Sequence, residues 1–141
     1  MKLLKILAVF CALSLAPFSQ AEQMKQLGAW DVHYIALTSS FLTPEVARTY
    51  GIQRSKYNAL VNISVLDSAT QAPQNVLVSG TATDLMGRSQ PLEFKQITEG
   101  KAIYYIATLS FRYEEDIKFD IKLSKGNTEQ RLRFQQKLYI E

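Results

Sequence analysis

A strict two-residue alternation in the C-terminal part of the chain constrains its fold most. Four apolar residues share one parity and four polar residues the other: Ile117, Phe119, Ile121 and Leu123 against Lys118, Asp120, Lys122 and Ser124. Successive side chains of a strand point to opposite faces, so this pattern predicts a strand between a core and water. The pattern returns near the C-terminus, where the apolar parity is Leu132, Phe134, Leu138 and Ile140. Lys125-Gly126-Asn127 lies between the two runs and predicts a hairpin turn.

Similar strand patterns recur upstream, separated by turn signals. We expect strands at residues 30–39, 57–65, 76–84, 92–94 and 102–113, the third with a bulge at Gly80. With the hairpin this makes about seven strands, a pattern typical of all-β sandwiches and barrels. Apart from one short segment between the first two strands, no helix separates consecutive strands, which disfavours a parallel α/β fold. The prediction is an immunoglobulin-like antiparallel β-sandwich; a closed up-and-down barrel is the alternative, because the later strands follow one another through short turns.

One short helix is predicted between the first two of these strands, over residues 43–51. Thr43 can cap it, Pro44 suits the first helical position, and Gly51 can end it in a left-handed conformation. A helix of about two turns is not stable alone and needs tertiary contacts. Residues spaced at i, i+4 and i+8 are expected to pack it on the sandwich: Leu42, Val46 and Tyr50.

The N-terminal segment has the layout of a secretory signal peptide. Lys2 and Lys5 precede an apolar run from Ile6 to Ala16, which is too short to span a bilayer core of about 30 Å. Small residues at positions 19 and 21 predict cleavage after Ala21. We therefore expect residues 1–21 to be removed and residues 22–141 to form a single domain in the periplasm. Cys11 leaves with the signal, so no disulfide or thiolate site is expected.

Charge and hydropathy narrow the classes of partner. The formal charge of the whole chain is +3, and loss of Lys2 and Lys5 lowers it by two. No strong positive field then remains to attract nucleic acid or an anionic membrane. No second apolar run is long enough to span a bilayer.

Catalytic and metal chemistry are poorly supported by the residue types present. His33 is the only histidine, and no nucleophile motif such as G-x-S-x-G accompanies it. Metal sites in proteins usually contain two or more His or Cys ligands. We therefore predict no catalytic residue, no metal site and no cofactor, and expect His33 to be bonded locally.

A binding site is predicted around the helical insert. Arg54 and Lys56 flank Ser55, an arrangement that can hold a phosphate or a carboxylate. Tyr50 offers a stacking surface, which gives a candidate set of His33, Tyr50, Arg54, Ser55 and Lys56. The tyrosines as a group, including Tyr57 and Tyr113, are interpreted as core residues with hydroxyls at the rim. The acidic run 114–116 lacks calcium-loop spacing and predicts a solvated turn.

Several short segments resemble a family of secreted gammaproteobacterial proteins known only as a domain of unknown function. The resemblance is carried by His33-Tyr34, by residues 40–47, by Tyr50-Gly51-Ile52 and 54–56, and by the later segments 99–100, 102–105 and 134–136. The family pattern reads His-Tyr-Asn-Ala where this chain has Ile35 in place of the Asn. The resemblance implies a single secreted β-domain and brings no activity, cofactor or catalytic residue.

The functional prediction is a non-catalytic periplasmic binding or scaffolding module. Its expected partner is a periplasmic or envelope protein or a small anionic ligand. One alternative is a hydrolase of envelope polymers that uses paired carboxylates. Another is a small-ligand carrier, which requires the sheet to close into a barrel around an apolar cavity.

Overall fold

The fold is an all-β sandwich of two antiparallel sheets. The structure is a computed structural model that describes residues 22–140. The predicted signal peptide, with Cys11, lies outside the described residues. Sheet A has five strands in the order β1-β2-β3-β7-β6, and sheet B has four in the order β5-β4-β8-β9. The two sheets remain separate, so the sandwich is confirmed and the closed barrel is wrong.

The strands and the helical segment between β2 and β3 have the following bounds. The strands are β1 Gln23–Leu27, β2 Trp30–Thr38, β3 Asn58–Asp67, β4 Leu77–Thr83, β5 Ser89–Leu92, β6 Lys95–Glu99, β7 Ala102–Ser110, β8 Glu115–Lys125 and β9 Thr128–Leu138. A 3-10 turn covers Ser39–Phe41 and helix α1 covers Pro44–Thr49. In the part of the chain that is described, no helix is long and apolar enough to cross a membrane.

Alternating side chains of both sheets meet in one apolar core. The apolar parity of β8 is buried as predicted, with Ile121 and Leu123 fully enclosed. The Phe134 ring lies 4.4 Å from that of Tyr34 in sheet A and 4.7 Å from that of Phe119 in sheet B, so aromatic contacts join the sheets. Each fully buried aliphatic side chain contributes about 1.5–3 kcal/mol, which makes this core the main source of stability.

The structure has nine strands where about seven were predicted. Strand β1 was missed, and the segment after the β4–β5 turn forms two strands, because the chain leaves sheet B after Leu92 and enters sheet A at Lys95. The predicted bulge at Gly80 is also wrong. Gly80 pairs in regular register with Ile121 and Leu92. A Cβ added there would lie 2.6 Å from the carbonyl oxygen of Asp120, so close approach of two backbones explains the glycine.

The helical insert is confirmed, with one change in the face that it buries. The Thr43 hydroxyl accepts a hydrogen bond from the Val46 backbone N–H at 3.2 Å, and Gly51 adopts a φ of 67°. Val46, however, is exposed, and Ala47 is the helical residue that is buried. The insert packs on the outer face of sheet A, against apolar side chains of three strands: Leu37, Leu60 and Ile106.

Candidate functional site: the loop end of the sandwich

The two ends of the sandwich differ in the number of large apolar side chains that they expose, and the end described here is the one with more. In sheet A, Thr38 pairs with Ala59 and Ser110 pairs with Asn58, so β2 and β7 end where β3 begins. In sheet B the same level holds the end of β4 and β9 and the start of β5 and β8. The Thr38 hydroxyl donates to the carbonyl of Tyr139 at 2.7 Å, which links the sheets at this level. We call this end the loop end; it comprises residues 39–42, 53–57, 84–88, 111–114 and 139–140.

Most of the exposed large apolar side chains of residues 22–140 lie at the loop end. The ones with the largest exposed fractions are Met86 at 80%, Tyr113 at 67% and Leu85 at 63%. Further exposed members are Phe41, Tyr57 and Tyr139. At the opposite end and on the remaining surface, the described residues add only Leu77, Met24 and, on helix α1, Val46 to this class. Concentration of exposed apolar groups on one surface is typical of an interaction site.

The β4–β5 turn holds Leu85 and Met86 outward on a rigid scaffold. One carboxylate oxygen of Asp84 accepts from the backbone N–H groups of Met86 and Arg88, both at 2.9 Å. The other oxygen accepts from the Arg88 guanidinium at 2.8 Å. Desolvation raises the pKa of Asp84, but the hydrogen bonds and the charge of Arg88 outweigh it, so the pKa is lowered overall. The ionised carboxylate therefore fixes the tip that presents the two apolar side chains.

A cleft lies beside this tip. It has a volume of about 210 Å³ and is lined by residues of both sheets, including Arg88, Arg112 and Tyr113. A second, shallower depression shares Arg112 and Tyr113 and is bordered by Tyr57. The backbone N–H of Phe111 donates to the Tyr57 carbonyl at 2.9 Å, which holds the two aromatic segments together. No ion pair to Arg112 is formed within residues 22–140, so its guanidinium is available to a partner.

Arg54 and Ser55, predicted as binding residues, bond to the backbone of the insert. The Arg54 guanidinium donates to the carbonyls of Leu42 at 2.7 Å and Ser40 at 3.1 Å. The Ser55 hydroxyl accepts from the Tyr57 backbone N–H at 3.1 Å. Both side chains therefore shape the insert, and a role in anion binding stays a prediction.

The other three predicted residues are spread over the molecule. Lys56 lies at the loop end, with its Nζ 5.3 Å from the centre of the Tyr57 ring. The Tyr50 hydroxyl donates to Glu99; this hydrogen bond, together with burial, raises the pKa of Tyr50. His33 lies four residues from Leu37 along β2, about 13 Å from that contact with the insert. The structure therefore does not bring the five predicted residues together.

Sequence reasoning missed the residues that dominate the loop end. Tyr57 and Tyr113 continue the parity of buried residues on β3 and β7 and were interpreted as core, an interpretation that holds for Tyr34 and Tyr105. Tyr113 and Tyr57 are exposed because β7 ends at Ser110 and β3 begins at Asn58, so neither tyrosine lies within a strand. Two adjacent apolar residues between the predicted strands 76–84 and 92–94, Leu85 and Met86, were the available signal.

Comparison with known proteins places the chain in a family. Residues 24–141 match the domain of unknown function DUF4426. The chain belongs to the DUF4426 family. A crystal structure of a DUF4426 family protein from Pseudomonas aeruginosa PAO1 is 36% identical, with a TM-score of 0.75, over 85% of this chain and 96% of that one. The resemblance noted in the sequence is thereby confirmed, and it extends across nearly all of the described fold.

More distant solved structures share the DUF4426 fold. A copper-bound variant of FetP from uropathogenic Escherichia coli strain F11 has a TM-score of 0.59 at 10% identity, over 84% of this chain and 90% of that one. FetP of the same strain, recombinantly expressed in the periplasm of E. coli, has a TM-score of 0.58 at 10% identity, over 86% and 97%. At this identity the likeness shows a common sandwich and nothing about activity. No curated protein matches the chain significantly.

Proposed function

We propose that this protein is a non-catalytic periplasmic module that binds another protein through its loop end. The observation that carries the proposal is the collection of exposed apolar side chains there, led by Met86, Tyr113 and Leu85. Tyrosine, methionine and arginine are enriched at protein interfaces, and contiguous exposed apolar surface marks sites where partners bind. The predicted signal peptide supports a periplasmic location for the module.

The shape of the loop end favours a protein partner over a small anionic ligand. The cleft holds about 210 Å³; the adjoining depression holds about 470 Å³ but is shallow and open to solvent, so neither encloses a ligand. Small-molecule sites usually enclose about 300–1,000 Å³ and bury most of the ligand. Leu85 and Met86, which are among the most exposed apolar side chains, lie on the β4–β5 turn and do not line the cleft. A partner surface can cover the tip and insert a polar side chain beside Arg112, whereas a small molecule would leave the tip exposed.

The same geometry favours binding over hydrolysis. The acidic residues that line the cleft are Asp84 and Glu115. A glycoside hydrolase needs one carboxyl group with a raised pKa as general acid and a second one facing it. The pKa of Asp84 is lowered, and both of its oxygens are occupied by the turn that it stabilises. Asp84 therefore supports presentation of the tip.

Structural similarity to FetP does not indicate that this chain binds copper. The FetP variant is described as copper-bound, and only 10% of aligned residues are identical. Among residues 22–140 no three side chains of His, Cys, Asp or Glu converge on a metal-sized space. A centre built from these donors is therefore not part of the proposed function.

Selective co-purification tests the proposal. The tagged protein is recovered from the periplasm of its host beside two variants: Met86→Ser with Tyr113→Ser, and Leu77→Ser as a control. Leu77 is 77% exposed but starts β4 at the opposite end, so its replacement removes exposed apolar surface without altering the loop end. We expect a discrete partner with the wild type and the control, and at least tenfold less with the double variant. Equal recovery with all three would refute the proposal.

A further inference from the structure

A thioether and the single imidazole of the chain stand opposite each other on the outer face of sheet A. Met24 on β1 and His33 on β2 are direct cross-strand partners, and His33 is in turn opposite Ser64 on β3. The Cβ atoms of such antiparallel partners lie about 4.5–5.5 Å apart on the same face of the sheet. Both side chains reach solvent: Met24 is 51% exposed and the His33 side chain 32%.

Glu22 orients the imidazole. The Nδ1 atom of His33 lies 3.3 Å from Oε1 of Glu22. A carboxylate that holds one ring nitrogen of a histidine fixes the tautomer, so that the other nitrogen is free to bind a metal ion. Among the residues that the structure describes, the polar contact of the His33 ring is the one through Nδ1, and Nε2 has no hydrogen-bond partner. The carboxylate, the imidazole and the thioether thus form a short row at the edge of the sheet.

These donors select for a soft metal ion. Thioether sulfur prefers Cu(I) over harder divalent ions, and imidazole nitrogen suits copper as well. We propose that Met24 and His33 form a binding site for one Cu(I) ion, with Glu22 as the positioning residue that orients His33. The remaining coordination positions face solvent, so the ion can be exchanged with an external donor. The proposal rests on the cross-strand register and the donor chemistry of this chain, and it is independent of the loop end.

Anaerobic titration of the exported, purified protein with Cu(I) tests this site. The metal competes between the protein and the chromogenic chelator bicinchoninate, and the methyl resonance of each methionine is followed by NMR. We expect one Cu(I) per chain and a shift of the Met24 methyl signal alone. Met24→Leu and His33→Gln should each weaken binding at least tenfold. Met86→Leu is the matched control, because Met86 is 80% exposed at the loop end, and it should leave binding unchanged.

The outcomes separate the proposed site from general metal adsorption. Glu22→Gln keeps a hydrogen-bonding group beside His33 and should weaken binding less than Met24→Leu does. All of the substituted side chains are exposed or half-buried, and circular dichroism confirms that the variants fold. Absence of Cu(I) binding by the wild type would overturn the proposal. Binding that survives in Met24→Leu, or that is lost in Met86→Leu, would overturn it as well.

Discussion

The Arg54 guanidinium donates from Nε to the carbonyl oxygen of Leu42 at 2.7 Å. Its Nη2 reaches the carbonyl of Ser40 at 3.1 Å, so one planar group satisfies two acceptors at the junction between the 3-10 turn and α1. The buried Ser39 hydroxyl accepts from the Ser55 N–H at 2.9 Å, which joins the start of the insert to the segment that follows it. The insert is therefore held to the sandwich by polar contacts as well as by its apolar face.

Replacement of Arg54 should destabilise the insert in a way that charge alone does not restore. Arg54→Ala removes both hydrogen bonds, and we expect a loss of about 1–2 kcal/mol in the free energy of unfolding, measured by urea denaturation. Arg54→Lys keeps the charge but lacks the planar fork, so it should recover less than half of that loss. Full recovery by Arg54→Lys would mean that the positive charge, and not the fork geometry, is what the insert needs.

The Tyr105 hydroxyl joins β7 to the loop that precedes β4. It accepts from the backbone N–H of Val76 at 2.8 Å and donates to the carbonyl of Gln74 at 3.1 Å. Tyr105→Phe leaves a buried donor without a partner, so we expect a loss of about 1–3 kcal/mol in thermal or chemical unfolding. Tyr113→Phe alters an exposed hydroxyl and serves as the control, with no measurable change expected. Equal stability of the two variants would contradict the bridging role.

Gly80 should not tolerate even one added carbon. A Cβ at this position lies 2.6 Å from the Asp120 carbonyl oxygen and 2.9 Å from the Ile121 side chain. Gly80→Ala therefore has to push β4 away from β8, which costs about 1–3 kcal/mol. The exposed neighbour Ser79→Ala, in the same strand, should change stability by less than about 0.5 kcal/mol. A stable Gly80→Ala protein would show that the strands separate at little cost.

Acid should loosen the β4–β5 tip through Asp84. The pKa of this carboxyl is lowered in the folded protein below the usual value of about 3.9. The unfolded chain binds the proton at higher pH, so the contribution to stability is present above the ordinary pKa and is lost as pH falls through the folded pKa. The amide resonances of Met86 and Arg88 should titrate together with a midpoint below 3.9, and Asp84→Asn should abolish the transition. A midpoint at or above the ordinary value would contradict the assignment.

The alternation of apolar and polar residues predicted those parts of the fold that are determined by burial of side chains in the core. The apolar parity of β8 and β9 and the capping of α1 all appear as expected. Strand β1 was not predicted because its inward position opposite Val32 is occupied by Lys25. Its Nζ lies 5.9 Å from the centre of the Tyr34 ring and donates to the Arg133 carbonyl on β9. A lysine that covers the seam between two sheets gives no hydrophobic periodicity, so only the tertiary structure reveals the strand.

The candidate site was harder to predict for a related reason. An aromatic residue just beyond a strand has the same parity as one in the core, and the local sequence does not show where pairing stops. The positions of Tyr57 and Tyr113 depend on where β3 begins and β7 ends, and those limits are set by partner strands distant in sequence. Arg54 and Ser55 were predicted to bind an anion because the sequence does not show their hydrogen bonds to the backbone. Those bonds form only in the folded loop.

Site-specific photo-crosslinking in the periplasm tests the loop end most directly. A benzophenone amino acid is placed at Tyr113, at Met86 and, at the opposite end, at Leu77, and adducts are resolved after irradiation. We predict one discrete protein adduct from positions 113 and 86 and none from 77. Excess wild-type protein should compete the adduct away, whereas the Met86→Ser and Tyr113→Ser double variant should not. An adduct from position 77 alone, or the same adducts from all three positions, would contradict the account.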